Sequence, residues 1–464
     1  MQSHFSNNKD TIVALSTPPG VGAIAVIRLS GEKAFEIVDK VISGKKIREL
    51  TSHTIHLSEI KKDEKVLDEI LISIFKAPNS YTGEDVVEIS CHGSIFIQQE
   101  ILQLFIEKGA RLAEPGEFTL RAFFNGKLDL SQAEAVGDLI ASQSAVAHNV
   151  AMKQMRGGFS KQINELRQKL IDFASLLELE LDFSEEDVEF ANRQQLKELL
   201  RQMVEVTSRL IKSFKYGNVI KNGIPVVIAG KPNVGKSTLL NVLLNEERAI
   251  VSEIAGTTRD TIEDEIIIDG FHFRFTDTAG IRNTTDTIES MGVKKTLEKL
   301  KQSAIVIYIF DVHEITVYEL DEILIELKKN MKGSDAELIL VANKIDIEDK
   351  KYITHEFEKY PDLIFISARN NINIENLKER LLHAVKSTAA GMGDTIVTSA
   401  RHAEALQKAE DAINRVLEGI ENNLTTDLLA LELRLALTHL GEITGEISTE
   451  ELLGNIFSRF CIGK

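Results

Sequence analysis

The spacing of apolar residues divides the chain into four stretches. Residues 1–125 alternate short apolar runs such as "GAIAVIRLS" with helical runs such as "SIFIQQEILQLFIEKG", a pattern typical of mixed α/β structure. Residues 126–219 carry apolar positions three or four apart, which predicts long amphipathic helices. Residues 220–388 alternate apolar strands with helices, and this favours a sheet covered on both faces. Residues 389–464 are again helical in pattern.

The order of these stretches predicts a multidomain protein of class α/β plus α. We expect an N-terminal α/β domain, an all-α domain built from the second and fourth stretches, and a further α/β domain inserted between those two parts. Two separate helical bundles remain the alternative. An apolar stripe at helical spacing recurs in the second stretch, and we expect it in a core; it consists of Leu196, Leu199, Leu200, Met203, Leu210, Ile211 and Phe214. With 464 residues the chain is long enough for each domain to bury its own core.

Charge and cysteine usage limit the classes of function. The net charge of −17 argues against a general basic surface for nucleic acid, so any such contact must come from a local patch or a partner. Cys91 and Cys461 form neither a disulfide framework nor a metal cluster, which is typical of a reducing compartment. The N-terminus lacks a signal-peptide pattern, and no apolar run reaches about 18 residues. We expect a soluble, cytoplasmic protein that does not enter a membrane.

One segment predicts a nucleotide site. "GKPNVGKS", Gly230–Ser237, matches the phosphate-loop pattern G-x-x-x-x-G-K-[ST] between an apolar strand and a helical run. Gly230 and Gly235 would let backbone N–H groups turn toward phosphate oxygens. Lys236 would place a cation on the β- and γ-phosphates, and Ser237 would offer its hydroxyl to Mg²⁺.

Four further motifs indicate that the nucleotide is GTP. "DTAG" follows a strand, so that Asp277 can hold Mg²⁺ through water, and Thr258 in "AGTTRD" can complete the magnesium shell. "NKID" follows another strand, and the carboxylate of Asp346 can accept from the ring N–H and the amino group of guanine together. "SAR", Ser367–Arg369, would place a backbone N–H behind the base.

The sequence indicates the catalytic residues less clearly than the nucleotide-binding residues. Many small GTPases carry, after "DTAG", a glutamine that orients the attacking water. Ile281 occupies that position here, and its aliphatic side chain cannot orient water. Asp286 and Glu289 in the following loop are carboxylates, and both are open to the simpler interpretation as solvated loop acids.

Longer phrases are more specific than the GTPase motifs. They are "DTIVALSTPPGVGAIAVIRLSG", "NSYTGEDVVEISCHG", "RLAEPGEFTLRAFFNGKLDLSQAEAV", "GKPNVGKST", "IAGTTRD" and the terminal "IFSRFCIGK". Through them the chain resembles the tRNA-modification GTPase MnmE (TrmE) family over essentially its full length. The resemblance implies an N-terminal folate-binding and dimerisation domain (1–125), a helical domain (126–219 and 389–464) and an inserted Ras-like P-loop G domain (220–388).

The resemblance implies a site for 5-formyl- or methylene-tetrahydrofolate. Its contacts would be Arg28, Glu88, Lys127 and the C-terminal Lys464. Cations suit the glutamate carboxylates of a folate, and a carboxylate suits the N–H donors of its pterin. Cys461, in the terminal "FCIGK", would be a candidate nucleophile toward a uracil ring. A prenylation signal is not expected there, because a glycine and a lysine end the chain.

The resemblance also implies a GTPase that depends on K⁺ and is activated when G domains dimerise. K⁺ beside the phosphates would neutralise developing charge as an arginine finger does. Asn233, Ser252, Ile254 and Thr257 would hold K⁺, and Ser237 and Thr258 would hold Mg²⁺. Glu289 matches the family glutamate that positions water, whereas Arg282 is equally open to interpretation as a loop charge. The predicted GTP-binding residues are Asn233, Val234, Gly235, Lys236, Ser237, Thr238, Ser252, Thr257, Thr258, Asp277, Thr278, Ala279, Gly280, Asn343, Lys344, Asp346, Ser367 and Ala368.

Partners are implied in the same way. The family forms a homodimer that works with MnmG (GidA), an FAD-dependent partner, in a heterotetramer or larger complex. Together they would add an aminomethyl-type group to carbon 5 of the wobble uridine in tRNA. The partner would supply the flavin, and this chain has no G-x-G-x-x-G fingerprint. A ribosome-assembly or RNA-chaperone GTPase and a folate enzyme with a regulatory G domain stay open as alternatives.

Overall fold

The computed structural model describes residues 10–182, 192–246, 264–277, 302–347, 355, 357–389 and 395–464. The chain divides into two compact units, Met1–Ile140 with Lys153–Leu196 and Arg415–Lys464, and Ala141–Met152 with Lys197–Asn414. Each unit contains one six-stranded sheet. The domain boundaries expected at 125, 219 and 388 stay predictions.

The sheet of the first unit is mainly antiparallel. Its strands are β1 (Ile12–Leu15), β2 (Ile24–Ser30), β3 (Thr54–Lys62), β4 (Lys65–Phe75), β5 (Val86–His92) and β6 (Arg111–Leu112). Their order is β3-β4-β5-β2-β1-β6, with β1 and β6 parallel and the other pairs antiparallel. Alternate residues such as Ile27 and Ile89 lie in the core with Phe105. Their neighbours Arg28 and Glu88, which pair in register, therefore face the other side of the sheet.

The helices confirm the predicted α-rich stretches. They are α1 (Ala34–Asp39), α2 (Ile95–Glu107), α3 (Glu117–Phe124), α4 (Leu130–Ala141), α5 (Ala145–Met155), α6 (Gly158–Asp182), α7 (Arg193–Asn222), α8 (Lys236–Glu246), α9 (Val317–Asn330), α10 (Ile374–Ala389), α11 (Ala400–Glu421), α12 (Thr426–Thr444) and α13 (Glu450–Phe457). Of the stripe predicted on α7, Leu196, Leu200, Met203 and Leu210 are buried, and Leu199, Ile211 and Phe214 are half-buried. Within the described ranges, no helix is long and apolar enough to span a membrane.

Helices of the first unit join distant parts of the chain. Helix α12 packs on α6, and Arg434 Nε of α12 donates to Glu178 Oε1 of α6 at 2.9 Å. Helix α13 packs on α3, where Phe457 and Leu120 share a small apolar core. The C-terminus is thereby brought to the N-terminal sheet.

The sheet of the second unit is a parallel sheet with one antiparallel edge. Its strands are β7 (Ile224–Ala229), β8 (Asp264–Ile268), β9 (Phe271–Asp277), β10 (Ile305–Asp311), β11 (Glu337–Asn343) and β12 (Ile364–Phe365). Their order is β12-β11-β10-β7-β9-β8, and β8 runs antiparallel to β9. Leu239 of α8 and Leu381 of α10 lie in one core, and Leu320 of α9 lies in another. Helices thus cover both faces, as expected for a Ras-like α/β domain.

Candidate functional site

The phosphate-loop pattern forms a tight turn between β7 and α8. A Cβ atom at Gly230 would lie 2.2 Å from the Ile309 carbonyl oxygen of β10. Gly235 has a φ of +102°, and a Cβ there would lie 2.3 Å from Asn343 Nδ2. Both positions therefore require glycine, because a side chain would collide with the neighbouring strand ends.

Lys236 is held inside this loop. Its Nζ donates to the carbonyl oxygens of Gly230 at 2.9 Å and Lys231 at 2.8 Å, and the residue is buried. Ser237 and Thr238 follow in the first turn of α8 and are exposed. A cation within the loop and the start of a helix beside it suit an anionic phosphate chain.

Asn343 joins three of the predicted motifs. Its Nδ2 donates to the Val234 carbonyl at 2.7 Å, and its Oδ1 accepts from the Ala368 backbone N–H at 2.9 Å. Asn343 is buried at the end of β11, so the amide cannot exchange these partners for water. The structure therefore brings "GKPNVGKS", "NKID" and "SAR" together around one side chain.

Asp346 is held as an ionised acceptor. It is exposed, and the hydroxyl of Ser367 donates to its carboxylate. This hydrogen bond lowers the pKa of Asp346 below the usual value, and Arg369 and His313 act in the same direction. Lys344, two residues earlier, forms an ion pair with Asp311 at 2.6 Å. A carboxylate that stays charged at neutral pH is the group needed to accept two donors from guanine.

The rest of the predicted nucleotide site is described in part. Asp277 ends β9, and its register partner is Ile228 of β7, two residues before Gly230. Outside the described residues lie Ser252, Ile254, Thr257, Thr258, Thr278, Ala279, Gly280, Ile281, Arg282, Asp286 and Glu289. The assignments of these residues to Mg²⁺, K⁺ and water stay predictions.

A second polar cluster lies on the open face of the N-terminal sheet. Arg28 of β2 donates from Nε to Glu88 Oε1 of β5 at 2.8 Å, and its Nη2 lies 2.7 Å from the same oxygen. The rings of Tyr81 and Phe118 have their centroids 5.3 and 5.6 Å from Arg28 Cζ. The ion pair is thus lined by aromatic rings, which also suit a flat heterocycle.

The C-terminal tail reaches this cluster. The Gly463 carbonyl lies 3.4 Å from Arg28 Nη1 and 3.3 Å from Ser16 Oγ, and accepts from both. Burial lowers the pKa of the half-buried Lys464, and the charge of Arg28 acts in the same direction. Cys461, on the same tail, is exposed. The structure brings Arg28, Glu88 and Lys464 together, as the folate assignment requires.

Lys127 lies at a different point of this unit. Its Nζ donates to the Pro78 carbonyl at 3.0 Å, and its side-chain carbons lie beside Gly83. Pro78 and Gly83 flank the loop that carries Tyr81. Its predicted contact with folate stays a prediction.

A charged network beside the cluster was not singled out from the sequence. Arg121 Nη2 of α3 donates to Asp10 Oδ1 at 2.7 Å and to Glu117 Oε1 at 2.9 Å, and Arg121 Nη1 reaches Glu84 Oε1 at 3.3 Å. Arg111 Nη2 pairs with Glu117 Oε1 at 2.6 Å. Burial opposes ionisation of Glu117, yet its arginine partners lower its pKa. The four-residue spacing of Glu117 and Arg121 in "EFTLR" was the available signal.

Comparisons with known proteins show the family of the chain. The family model described as "MnmE helical domain" matches residues 130–461, and the one described as "GTP-binding protein TrmE N-terminus" matches residues 11–127. The chain is 56% identical to the tRNA modification GTPase MnmE of Cytophaga hutchinsonii over 99% of both chains. It is 56% identical to that of Flavobacterium psychrophilum over 98% of this chain and 99% of the other. For Bacteroides fragilis the identity is 49% over 98% of this chain and 100% of the other. The chain therefore belongs to the MnmE family of tRNA modification GTPases.

Proposed function

We propose that this GTPase adds an aminomethyl-type group to carbon 5 of the wobble uridine of tRNA. The added carbon would come from 5-formyl- or methylene-tetrahydrofolate, and an FAD-dependent partner similar to MnmG would supply the redox chemistry. We further propose that the chain works as a homodimer in a heterotetramer or larger complex with that partner, in the cytoplasm.

The observation that carries this proposal is the contact between the C-terminal tail and the N-terminal sheet. Arg28 and Gly463, 435 positions apart, meet at 3.4 Å beside Glu88. The family phrases near the two ends of the sequence thus contribute residues to one surface of the folded chain. Its groups match the pterin end of a folate: Glu88 suits the pterin donors, and the half-buried Tyr81 suits its ring.

Cys461 is the proposed nucleophile at this surface. Its side chain is exposed on the tail that also carries Lys464. After loss of the thiol proton to solvent, Sγ would form a bond to the uracil ring, and the displaced electron pair would make carbon 5 nucleophilic. Folate, when bound, would supply the electrophilic one-carbon unit; carbon 5 would bond to that carbon, and an amine would replace the folate nitrogen on it, which releases tetrahydrofolate. Departure of the thiolate with loss of the carbon 5 proton would restore the aromatic ring.

We propose that GTP hydrolysis is activated when G domains dimerise and that it serves to open and close them. Lys236 and the loop amides would bind the phosphates, Ser237 and Thr258 would hold Mg²⁺, and Glu289 would position water. Mg²⁺ and K⁺, when bound, would neutralise charge on the phosphates. Asn233, a proposed K⁺ ligand with Ser252, Ile254 and Thr257, is exposed with a φ of +64° at the tip of the loop. This position suits a side-chain oxygen directed away from the sheet.

Nucleoside analysis of tRNA tests the proposed function. Deletion of the gene should remove the substituent from carbon 5 of wobble uridine, and the wild-type chain should restore it. A chain with Lys236→Ala should not restore it, because the phosphate-binding cation is lost. Unchanged wobble uridines in the deletion strain would contradict the proposal, and loss of a modification elsewhere in tRNA would relocate the target.

A further inference from the structure

The turn that carries Asp346 is held by one carbonyl oxygen. Lys344 O accepts from the backbone N–H of Ile347 at 3.3 Å, which closes the turn around Asp346. The same oxygen lies 3.2 Å from Nε2 of His313. Because a carbonyl oxygen can only accept, the imidazole donates and its Nε2 carries a proton.

His313 and Asp311 hold Lys344 at both of its ends. Asp311 Oδ2 pairs with Lys344 Nζ at 2.6 Å, and Asp311 Oδ1 accepts from the His313 backbone N–H at 3.0 Å. Asp311 is buried at the end of β10, and His313 follows two residues later. His313, Asp311 and Lys344 thus form a closed ring of contacts. The His313 imidazole holds the Lys344 carbonyl, and the Asp311 carboxylate holds the Lys344 ammonium.

The contacts of His313 and Asp311 hold Lys344 in a strained backbone conformation. Lys344 has a φ of +71°, a left-handed conformation that costs a residue with a side chain stability and persists only where contacts hold it. Asn343 is anchored before it by Val234 and Ala368. Ile345 is anchored after it, since its N–H donates to the Ile366 carbonyl at 3.3 Å. The peptide that joins Lys344 to Ile345 is therefore held at both of its polar groups, its N–H by Ile366 and its carbonyl by His313 and the Ile347 N–H, and it leads directly into Asp346.

We propose that His313 is a positioning residue for guanine recognition, acting through the Lys344 carbonyl on the direction of the Asp346 carboxylate. The inference rests on the proposed guanine site at Asp346. His313 belongs to none of the GTPase motifs. It lies in the loop between β10 and α9, and only the folded chain brings it to the Lys344 carbonyl. It acts on nucleotide affinity and base selection, whereas the hydrolytic step depends on groups at the phosphates.

The test compares nucleotide binding and turnover of the full chain. His313→Ala should raise the Kd for GDP and the KM for GTP about fivefold, the loss of one net hydrogen bond. Its kcat should stay within about twofold of wild type. His313→Gln, whose amide N–H can replace the donor, should recover most of the affinity. His383→Ala, at another exposed histidine of the same unit, is the matched control and should bind as wild type.

The outcomes separate this inference from the guanine site itself. Asp346→Asn should weaken GDP binding and favour xanthosine diphosphate, whose base offers the complementary pattern. If Asp346→Asn shows no such change, the proposed guanine site is wrong. If it does, while His313→Ala binds GDP as wild type, His313 has no positioning role. Equal losses in His313→Ala and His313→Gln, or a fall in kcat at unchanged KM, would also overturn the inference.

Discussion

At the scale of single residues, Lys464 and Arg28 form an unusual pair of neighbouring cations. Glu88 neutralises Arg28 at 2.7 Å, whereas Lys464 is half-buried and its pKa is lowered by burial and by the charge of Arg28. An anionic or electron-rich group of a bound ligand would relieve both effects, because it can pair with either cation. The electrostatics of this cluster thus favour an anion.

We predict that folate affinity falls as the pH rises from about 7 to about 10. The pKa of Lys464 lies below the 10.5 of an ordinary lysine, so its ammonium is present at low pH and is lost earlier as the pH rises. Titration of 5-formyl-tetrahydrofolate into the protein across this range measures the effect. Lys464→Gln should flatten the profile, and Lys108→Gln, at an exposed lysine of the same unit, should leave it unchanged. A wild-type profile in Lys464→Gln would contradict the assignment.

Residues in recognisable motifs were predictable, and residues outside them were not. Lys236 bonds within its own loop, and Asn343 was found through its motif although its partner Val234 lies 109 positions away. The bond from Arg121 to Asp10 spans 111 positions, and no spacing rule announces it. His313 escaped notice for the same reason, since its partner carbonyl lies 31 positions away.

At the scale of elements, the C-terminal tail is fixed by its glycine. Gly463 has a φ of +93°, and a Cβ there would lie 2.3 Å from the Leu15 carbonyl oxygen of β1. Phe457 and Phe460, with ring centroids 5.5 Å apart, seat the preceding turn against the core of α3 and α4. The tail is therefore docked on the sheet, and the position of Gly463 depends on a close approach between its backbone and that of β1.

We predict that Gly463→Ala displaces the tail and abolishes wobble-uridine modification while GTP turnover is kept. The added methyl group would collide with backbone that cannot give way. Gly454→Ala in α13 is the matched control, because nothing lies within 4 Å of its added Cβ. The two variants are compared by tRNA nucleoside analysis and by phosphate release. Full modification by Gly463→Ala would show that the docked tail is dispensable.

Strand β3 gives the proposed dimer a defined surface. It is an edge strand, and Ile55 and Leu57 are 67% and 76% exposed on it, with Leu71 of β4 directly opposite Leu57. Ile55 shares its register row with Ser73, Glu88 and Arg28, so the apolar patch lies on the face that carries the ion pair. An exposed apolar edge suits a second copy, whose equivalent strand is self-complementary to it.

Leu57→Lys should therefore make the chain monomeric. A charge placed on both sides of a two-fold contact repels itself and cannot be buried unpaired. Light scattering behind size-exclusion chromatography measures the mass of the particle. Ile325→Lys, at a side chain 70% exposed on α9, should leave the mass unchanged. A dimeric Leu57→Lys protein would place the contact on another surface.

At the scale of the whole molecule, the sequence pattern predicted the kinds of layers but not their order. The switch from helical to strand–helix spacing after residue 219 predicted a second sheet, and both sheets are present. That β1 lies between β2 and β6 depends on pairing across the chain, which a linear pattern does not encode. Membership of the MnmE family decides against a ribosome-assembly GTPase and favours a tRNA enzyme.

We propose that one chain couples GTP hydrolysis to transfer of a folate carbon onto tRNA. The most direct measurement incubates unmodified tRNA with the chain, its flavin partner, GTP and tetrahydrofolate labelled in the one-carbon unit. We predict that the label appears in the substituent on carbon 5 of the wobble uridine when GTP is present. With a non-hydrolysable analogue of GTP, little label should appear there. Equal labelling with the analogue would contradict the coupling, and absence of label in modified tRNA would contradict folate as the carbon source.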